Sequence, residues 1–386
     1  MKGNWRIAAR SVVVWSAAVF VALQVALNVT MECREPEIYD AEYRDRLCLL
    51  RERATEQPDR PLLLVVGSSR MITDLRPEVL PPLRTPQGED VLTFNFSHSG
   101  AGPLFNLVAV RRLLRAGFHP RWLVIEVVPP LLGASGQSTV ATLAEAEDLP
   151  LMARYVNRWK LGGYYAWARL NTCFTHRDAC LRSLVPWCMA RPPMWDAIPL
   201  DDLGGTTSWL DFQSGSQDVA RRTAVVRSEY FPGLQRFHIA DAPDRAMRET
   251  LDLCRKEHIA AAILLAPEST TFRSWYSKDA ELQLSCYCEQ LSRDYGIAIV
   301  DSRQWLPQHA FMDGHHVFPE AAEEFTLRLG REALEPLING VTPGSECDSP
   351  AERMKNLGRG RTEAAASEEC EIDDKAQRRP PSSPER

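Results

Sequence analysis

The sequence predicts an α/β fold with a mainly parallel sheet, a helical insertion and an N-terminal transmembrane helix. Three observations predict it. Short apolar runs end in glycine, proline or polar turns, as strands buried on both faces do. Helical patterns alternate with those runs, and β–α–β alternation builds a parallel sheet. A charge-free apolar run near the N-terminus is about as long as the ~20 residues a bilayer-crossing helix needs.

The elements follow in order. Lys2, Arg6 and Arg10 precede the run Ser11–Val29, whose only strongly polar members are Gln24 and Asn28. Basic residues before it and Glu32, Glu35 and Glu37 after it imply a cytoplasmic N-terminus, with the rest of the chain outside. Residues 1–30 therefore read as an uncleaved single-pass anchor. A cleaved signal would have a shorter apolar region and a small-residue cleavage site, whereas this run exits through Asn28-Val-Thr-Met-Glu32. Residues 31–60 are polar and read as a stalk plus a short helix.

A domain over 61–340 comes next. Its strands are read at Leu62–Val66, Val91–Phe96, Trp122–Val128, Ala260–Ala266 and Ile297–Val300. Helical spacing covers about 104–114, 241–257, 279–294 and 319–336, the last opening on Pro319, a residue suited to a first helical turn. Residues 131–240 interrupt the alternation and read as an inserted, mainly helical cap, either a lid over a pocket or a structural appendage. Residues 341–386 are rich in Ser, Glu, Arg, Pro and Gly and predict a disordered tail.

Composition narrows the function. Net charge is −6 and the basic residues are scattered, which argues against a nucleic-acid partner. An even count of ten cysteines in an exported chain permits disulfides. Cys173, Cys180 and Cys188 lie close together, but connectivity stays open. No Cys-x-x-Cys pair suggests zinc, and Cys286-x-Cys288 is too short for an easy mutual bridge.

Three segments carry chemistry. In Val66-Gly67-Ser68-Ser69-Arg70 a serine follows a buried strand, and the glycine allows a tight turn that presents the hydroxyl at the sheet's mouth. Alone, such a segment is commoner as a helix cap or turn than as a nucleophile. In Phe311-Met-Asp313-Gly-His315-His316-Val-Phe-Pro319 a carboxylate stands three residues before a histidine, a spacing that lets it fix the ring's tautomer. Alone, this is a capping Asp beside a surface histidine pair; adjacent histidines rarely chelate one ion, so no metal is expected. Between them, Asn95-Phe-Ser-His98-Ser-Gly100 follows the second strand, where a glycine amide can serve an oxyanion hole.

Together and in this order, these segments resemble the SGNH/GDSL hydrolase superfamily. Gly67-Ser68-Ser69 matches its Gly-Asp-Ser block with Ser for Asp, Gly100 matches the oxyanion glycine five residues after Asn95, and Asp313 and His316 match Asp-x-x-His. The resemblance covers roughly 62–130 and 241–337. It implies a flavodoxin-like three-layer α/β/α fold, with Ser69 as nucleophile, His316 as base and Asp313 as its partner. The amides of Ser69 and Gly100 would hold the oxyanion, and no cofactor is needed. The chain departs from the family at the third block. Ile125-Glu-Val-Val-Pro-Pro130 has no asparagine, so one oxyanion donor is missing or supplied from elsewhere, a candidate substitute being a side chain within Pro267-Glu268-Ser269-Thr-Thr-Phe-Arg273 after the fourth strand. Arg70, Arg273 and His98 are candidate substrate-binding residues. With the anchor, the Gly-Ser-Ser variant is similar to a subgroup that modifies bacterial cell envelopes. It implies a cell-membrane location with the domain in the periplasm or outside, and ester hydrolysis or O-acyl transfer on envelope carbohydrate. A second reading is a catalytically silent SGNH-like domain that binds a polymer or an envelope protein partner. A third, a phosphate binder, lacks a glycine-rich loop and leaves Asp313 and His316 unexplained.

Overall fold

The computed structural model describes residues 4–34, 39–133, 137–170, 200–206 and 216–340. The three clustered cysteines and the tail 341–386 lie outside the described residues. Among the described cysteines, Cys48, Cys254, Cys286 and Cys288 are free thiols.

Five strands form one parallel sheet: β1 (Leu62–Val66), β2 (Leu92–Asn95), β3 (Trp122–Glu126), β4 (Ala260–Leu265) and β5 (Ala298–Asp301), in the order β2-β1-β3-β4-β5. Four strands lie within runs read from the sequence, because burial on both faces makes nearly every position apolar; β5 is shifted one residue past its run, onto exposed Asp301. Alternate side chains feed two cores. Leu64, Val66, Leu123, Ile125 and Ile263 face α4 (Pro103–Arg115) and α9 (Asp241–Lys256). Leu63, Val65, Val124 and Leu264 face α3 (Ser69–Asp74) and α12 (Pro319–Leu329). Fully burying such a leucine contributes roughly 1.5–3 kcal/mol. The chain leaves β1 toward β2 and later returns to lay β3 on β1's other side. The loops after β1 and β3 therefore diverge, and sheets of this order bind ligands in that crevice.

The stretch 31–60 needs correction. Its helix, α2 (Ala41–Glu56), is built into the domain: Tyr43, Leu47 and Leu50 share one face and are buried in the first core. Asp40 caps the helix by accepting from the Tyr43 amide, and its carboxylate reaches the His98 ring at 2.9 Å.

Ahead of it, α1 (Asn4–Arg34) contains the segment Ala9–Thr30, with mean hydropathy 2.1, long and apolar enough to cross a membrane. Most of its large side chains are exposed, but Gln24 is buried. The Asn28 amide donates to the Arg169 carbonyl at 2.6 Å. That carbonyl belongs to α7 (Arg158–Leu170) in the insertion, so the end of the apolar helix is held by the cap.

The described parts of the insertion are mainly helical, with α5 (Gln137–Thr142), α6 (Leu149–Met152), α7 and α8 (Ser216–Gln235), while 200–206 form a turn. Arg112 of α4 binds Asp148 at 2.6 Å and fastens the insertion to the sheet's helical layer. Helix α8 packs on the 3₁₀ turn Pro129–Leu132, immediately beyond β3.

Candidate active site

Ser69 sits at the first position of α3, directly after β1 and the turn Gly67-Ser68. Ser68 caps that helix, its hydroxyl accepting from the Arg70 amide at 3.2 Å, which leaves the neighbouring Ser69 hydroxyl uncommitted to capping. Gly67 is required by packing. A Cβ there would lie 2.6 Å from Glu126 Oε2, 2.8 Å from Glu126 Cβ and 2.8 Å from Met71 Cγ. We expect Gly67→Ala to cost about 1–3 kcal/mol, the usual penalty of overpacking. Denaturant melting of the two proteins measures it; equal midpoints would refute the steric account.

The histidine loop is pinned at both ends. Phe311 bridges Val317, and the Met312 amide donates to the His316 carbonyl at 2.9 Å. Inside the loop, Asp313 Oδ1 accepts the amides of His315 and His316 at 3.1 and 2.9 Å. Gly314 makes the turn at φ +108°. The Val317 amide donates to Asp74 Oδ1 at 3.1 Å, tying the loop to the end of α3.

These anchors bring together groups 247 residues apart. His316 Nε2 lies 3.0 Å from Ser69 Oγ, and His316 Nδ1 lies 2.7 Å from Asp313 Oδ2. The expected three-residue relay is therefore within hydrogen-bond reach throughout. Ser69, Asp313 and His316 are each part-exposed, so the relay opens to solvent. Burial disfavours a charged His316, but the charge and hydrogen bond of Asp313, with Asp74 behind, outweigh it and raise the imidazole's pKa. Burial likewise opposes Asp313 ionisation, yet His316, His315 and the loop amides hold its pKa well below the usual carboxylate range. Asp74 is pushed up to about 7 by burial, against the pull of His316 and Arg70. Burial and the adjacent His316 hold His315 neutral.

Gly100 lies on the exposed turn after β2, with φ +68°, a left-handed conformation that favours glycine. The turn starts beside the Gly67-Ser68 turn that leads to Ser69, since the His98 amide donates to the Gly67 carbonyl at 2.9 Å.

The three expected substrate-binding residues are placed differently. Arg70 is 2% exposed, and its guanidinium donates to the carbonyls of Ala266 and Pro267 at 2.8 and 2.6 Å, between Glu126 and Glu268. It ties the ends of β1, β3 and β4 together rather than facing a ligand. Arg273 spends Nη1 on the carbonyls of Glu268 and Arg303. His98 is clamped between Asp40 and the Ser99 carbonyl, its ring over Phe105. Burial opposes its protonation, but Asp40 and Glu42 outweigh that and raise its pKa. All three hold the rim's shape.

Two further residues belong to the site. Glu126 ends β3 with its side chain fully buried, and its Oε2 accepts the Ser68 amide at 2.6 Å, fixing the turn that presents Ser69. Its signal in the sequence is a carboxylate inside the apolar run Trp122–Val128. Tyr230 of α8 stands edge-on to His315, ring centroids 5.3 Å apart at 89°. Nothing in the local sequence of the insertion marked it.

Asp313, His315 and His316 also have donor atoms within 4.8 Å of one another, a set able to hold a metal ion. Both ring nitrogens of His316 and both oxygens of Asp313 are engaged in the relay and its loop, so an ion there would have to break the serine–histidine–aspartate chain. No family model matches the chain, and no curated protein matches it in sequence.

Proposed function

We propose that the chain is a membrane-anchored serine hydrolase or O-acyltransferase of the SGNH type, acting on acyl esters of cell-envelope carbohydrate. The observation that carries this reading is the continuous path from Ser69 Oγ through His316 to Asp313, at 3.0 and 2.7 Å. The strand order and the site's place at the β1–β3 crevice support it.

In this mechanism His316 Nε2 takes the Ser69 proton as Oγ attacks the ester carbonyl. Asp313 holds the Nδ1 proton and stabilises the imidazolium. The carbonyl's π electrons move to oxygen, and the amides of Ser69 and Gly100 receive that charge. Collapse expels the alcohol, which takes the proton from His316. Water, or a sugar hydroxyl, then attacks the acyl-serine by the same path in reverse. Helix α1 would hold this rim on the outer side of the cytoplasmic membrane, as its flanking charges favour.

Fluorophosphonate labelling of the full chain in detergent tests the reading. Ser69 should be modified in the wild type and unmodified in His316→Ala. A wild type that does not react, although folded, would favour the silent binding domain, to which the missing third-block asparagine also points.

A further inference from the structure

If Ser69 is a nucleophile, the exit of β3 should supply an oxyanion donor, and Val127-Val-Pro-Pro130 offers no side chain able to donate. The insertion covers that exit. Helix α8 packs on Pro129–Leu132 and brings Tyr230 to the rim. The phenol ring lies edge-on to His315, whose ring is tilted against that of His316 with centroids 4.2 Å apart, and the phenol also meets Phe272 at 6.0 Å. The Tyr230 hydroxyl feels the charges of Arg70, Asp313 and Glu126, which come from the nucleophile turn, the histidine loop and the end of β3. Among the described residues it has no hydrogen-bond partner, and its oxygen is not sealed from solvent. A half-buried tyrosine ordinarily places its hydroxyl on an acceptor. Here no such acceptor is found among the described residues.

We infer that the Tyr230 hydroxyl is the missing donor: it hydrogen-bonds the carbonyl oxygen that becomes the oxyanion, in place of the absent asparagine. The inference rests on the hydrolase reading and adds a catalytic residue to it, contributed by the insertion. Proton accounting is unchanged. The serine proton goes to His316, the carbonyl π electrons go to oxygen, and Tyr230 keeps its own proton throughout. Burial, Glu229 and Asp313 push the phenol up to about 12 against Arg70, so it stays a donor across the working pH range. The insertion then has a chemical role: the rim is incomplete without it.

The test is the second-order rate of fluorophosphonate labelling, with p-nitrophenyl acetate hydrolysis beside it, on the full chain in detergent. Tyr230→Phe keeps the ring against His315 and removes only the hydroxyl. Loss of one oxyanion donor costs ~10²–10³ in rate, so both rates should fall by that factor with KM and the melting temperature unchanged. A Ser69-dependent wild-type reaction that Tyr230→Phe leaves within threefold overturns the inference while the hydrolase reading stands. A wild type without Ser69-dependent reaction ends both. Should the variant melt early, its pH–rate profile decides. A lost donor lowers the plateau and leaves the acid limb in place, whereas a displaced His316 moves the limb and counts against Tyr230.

Discussion

Ser69→Ala should abolish fluorophosphonate labelling and lower ester hydrolysis by on the order of 10⁴–10⁶, leaving only what binding and the oxyanion donors supply. The size follows from the relay. His316 has its Nε2 aimed at Ser69 Oγ at 3.0 Å, and Asp313 is devoted to His316; with the hydroxyl gone, neither has work to do. The neighbouring serine is the control. Ser68 caps α3 through the Arg70 amide, so Ser68→Ala should cost ~1 kcal/mol of stability and leave the labelled residue unchanged. Mass mapping of the modified peptide in both variants separates the two. A label that persists in Ser69→Ala would move the nucleophile elsewhere.

Asp313→Asn should lower the plateau rate by ~10⁴ and shift the acid limb of the pH–rate profile downward. The active form of His316 is neutral, so activity appears as pH rises through its pKa. Asp313 is the main group raising that pKa against burial. Removing its charge lowers the pKa and lets the base form exist at lower pH. The plateau falls all the same, because the imidazolium loses its counter-charge and the ring its tautomer. Stability changes with pH too. The depressed pKa of Asp313 contributes stability above the unfolded carboxyl's ~3.9, lost as pH falls through the folded value. The variant should therefore lose stability relative to wild type at neutral pH and approach it in acid. An acid limb that stays in place in the variant would show that the limb belongs to another group.

Much of this site could be read in the sequence because its parts are local. The apolar runs lie on strands, Pro319 opens α12, and an aspartate three residues before a histidine forms one loop whose amides turn onto the carboxylate. What escaped depends on partners far along the chain. Arg70 looked like a ligand clamp because nothing near it announces the carbonyls of Ala266 and Pro267. His98 looked like a pocket residue because its partner, Asp40, lay in a stretch read as outside the domain; α2 has only three or four apolar anchors, too few to stand out in a polar segment. Glu126 was visible as a charge among apolar residues, but its purpose depends on the approach of β1. Tyr230 had no sequence signal at all, since the insertion's register against the rim is set by packing alone.

On the proposed hydrolase reading, the bond from Asn28 to the Arg169 carbonyl bears on how the site would meet a substrate. Were α1 seated in a bilayer, the proposed mouth would not be a float on a leash. It would be mounted at a set elevation, clasped through α7 by the same insertion that carries Tyr230. Such a mount favours acyl groups presented close to the lipid surface over those on chains far out in the wall.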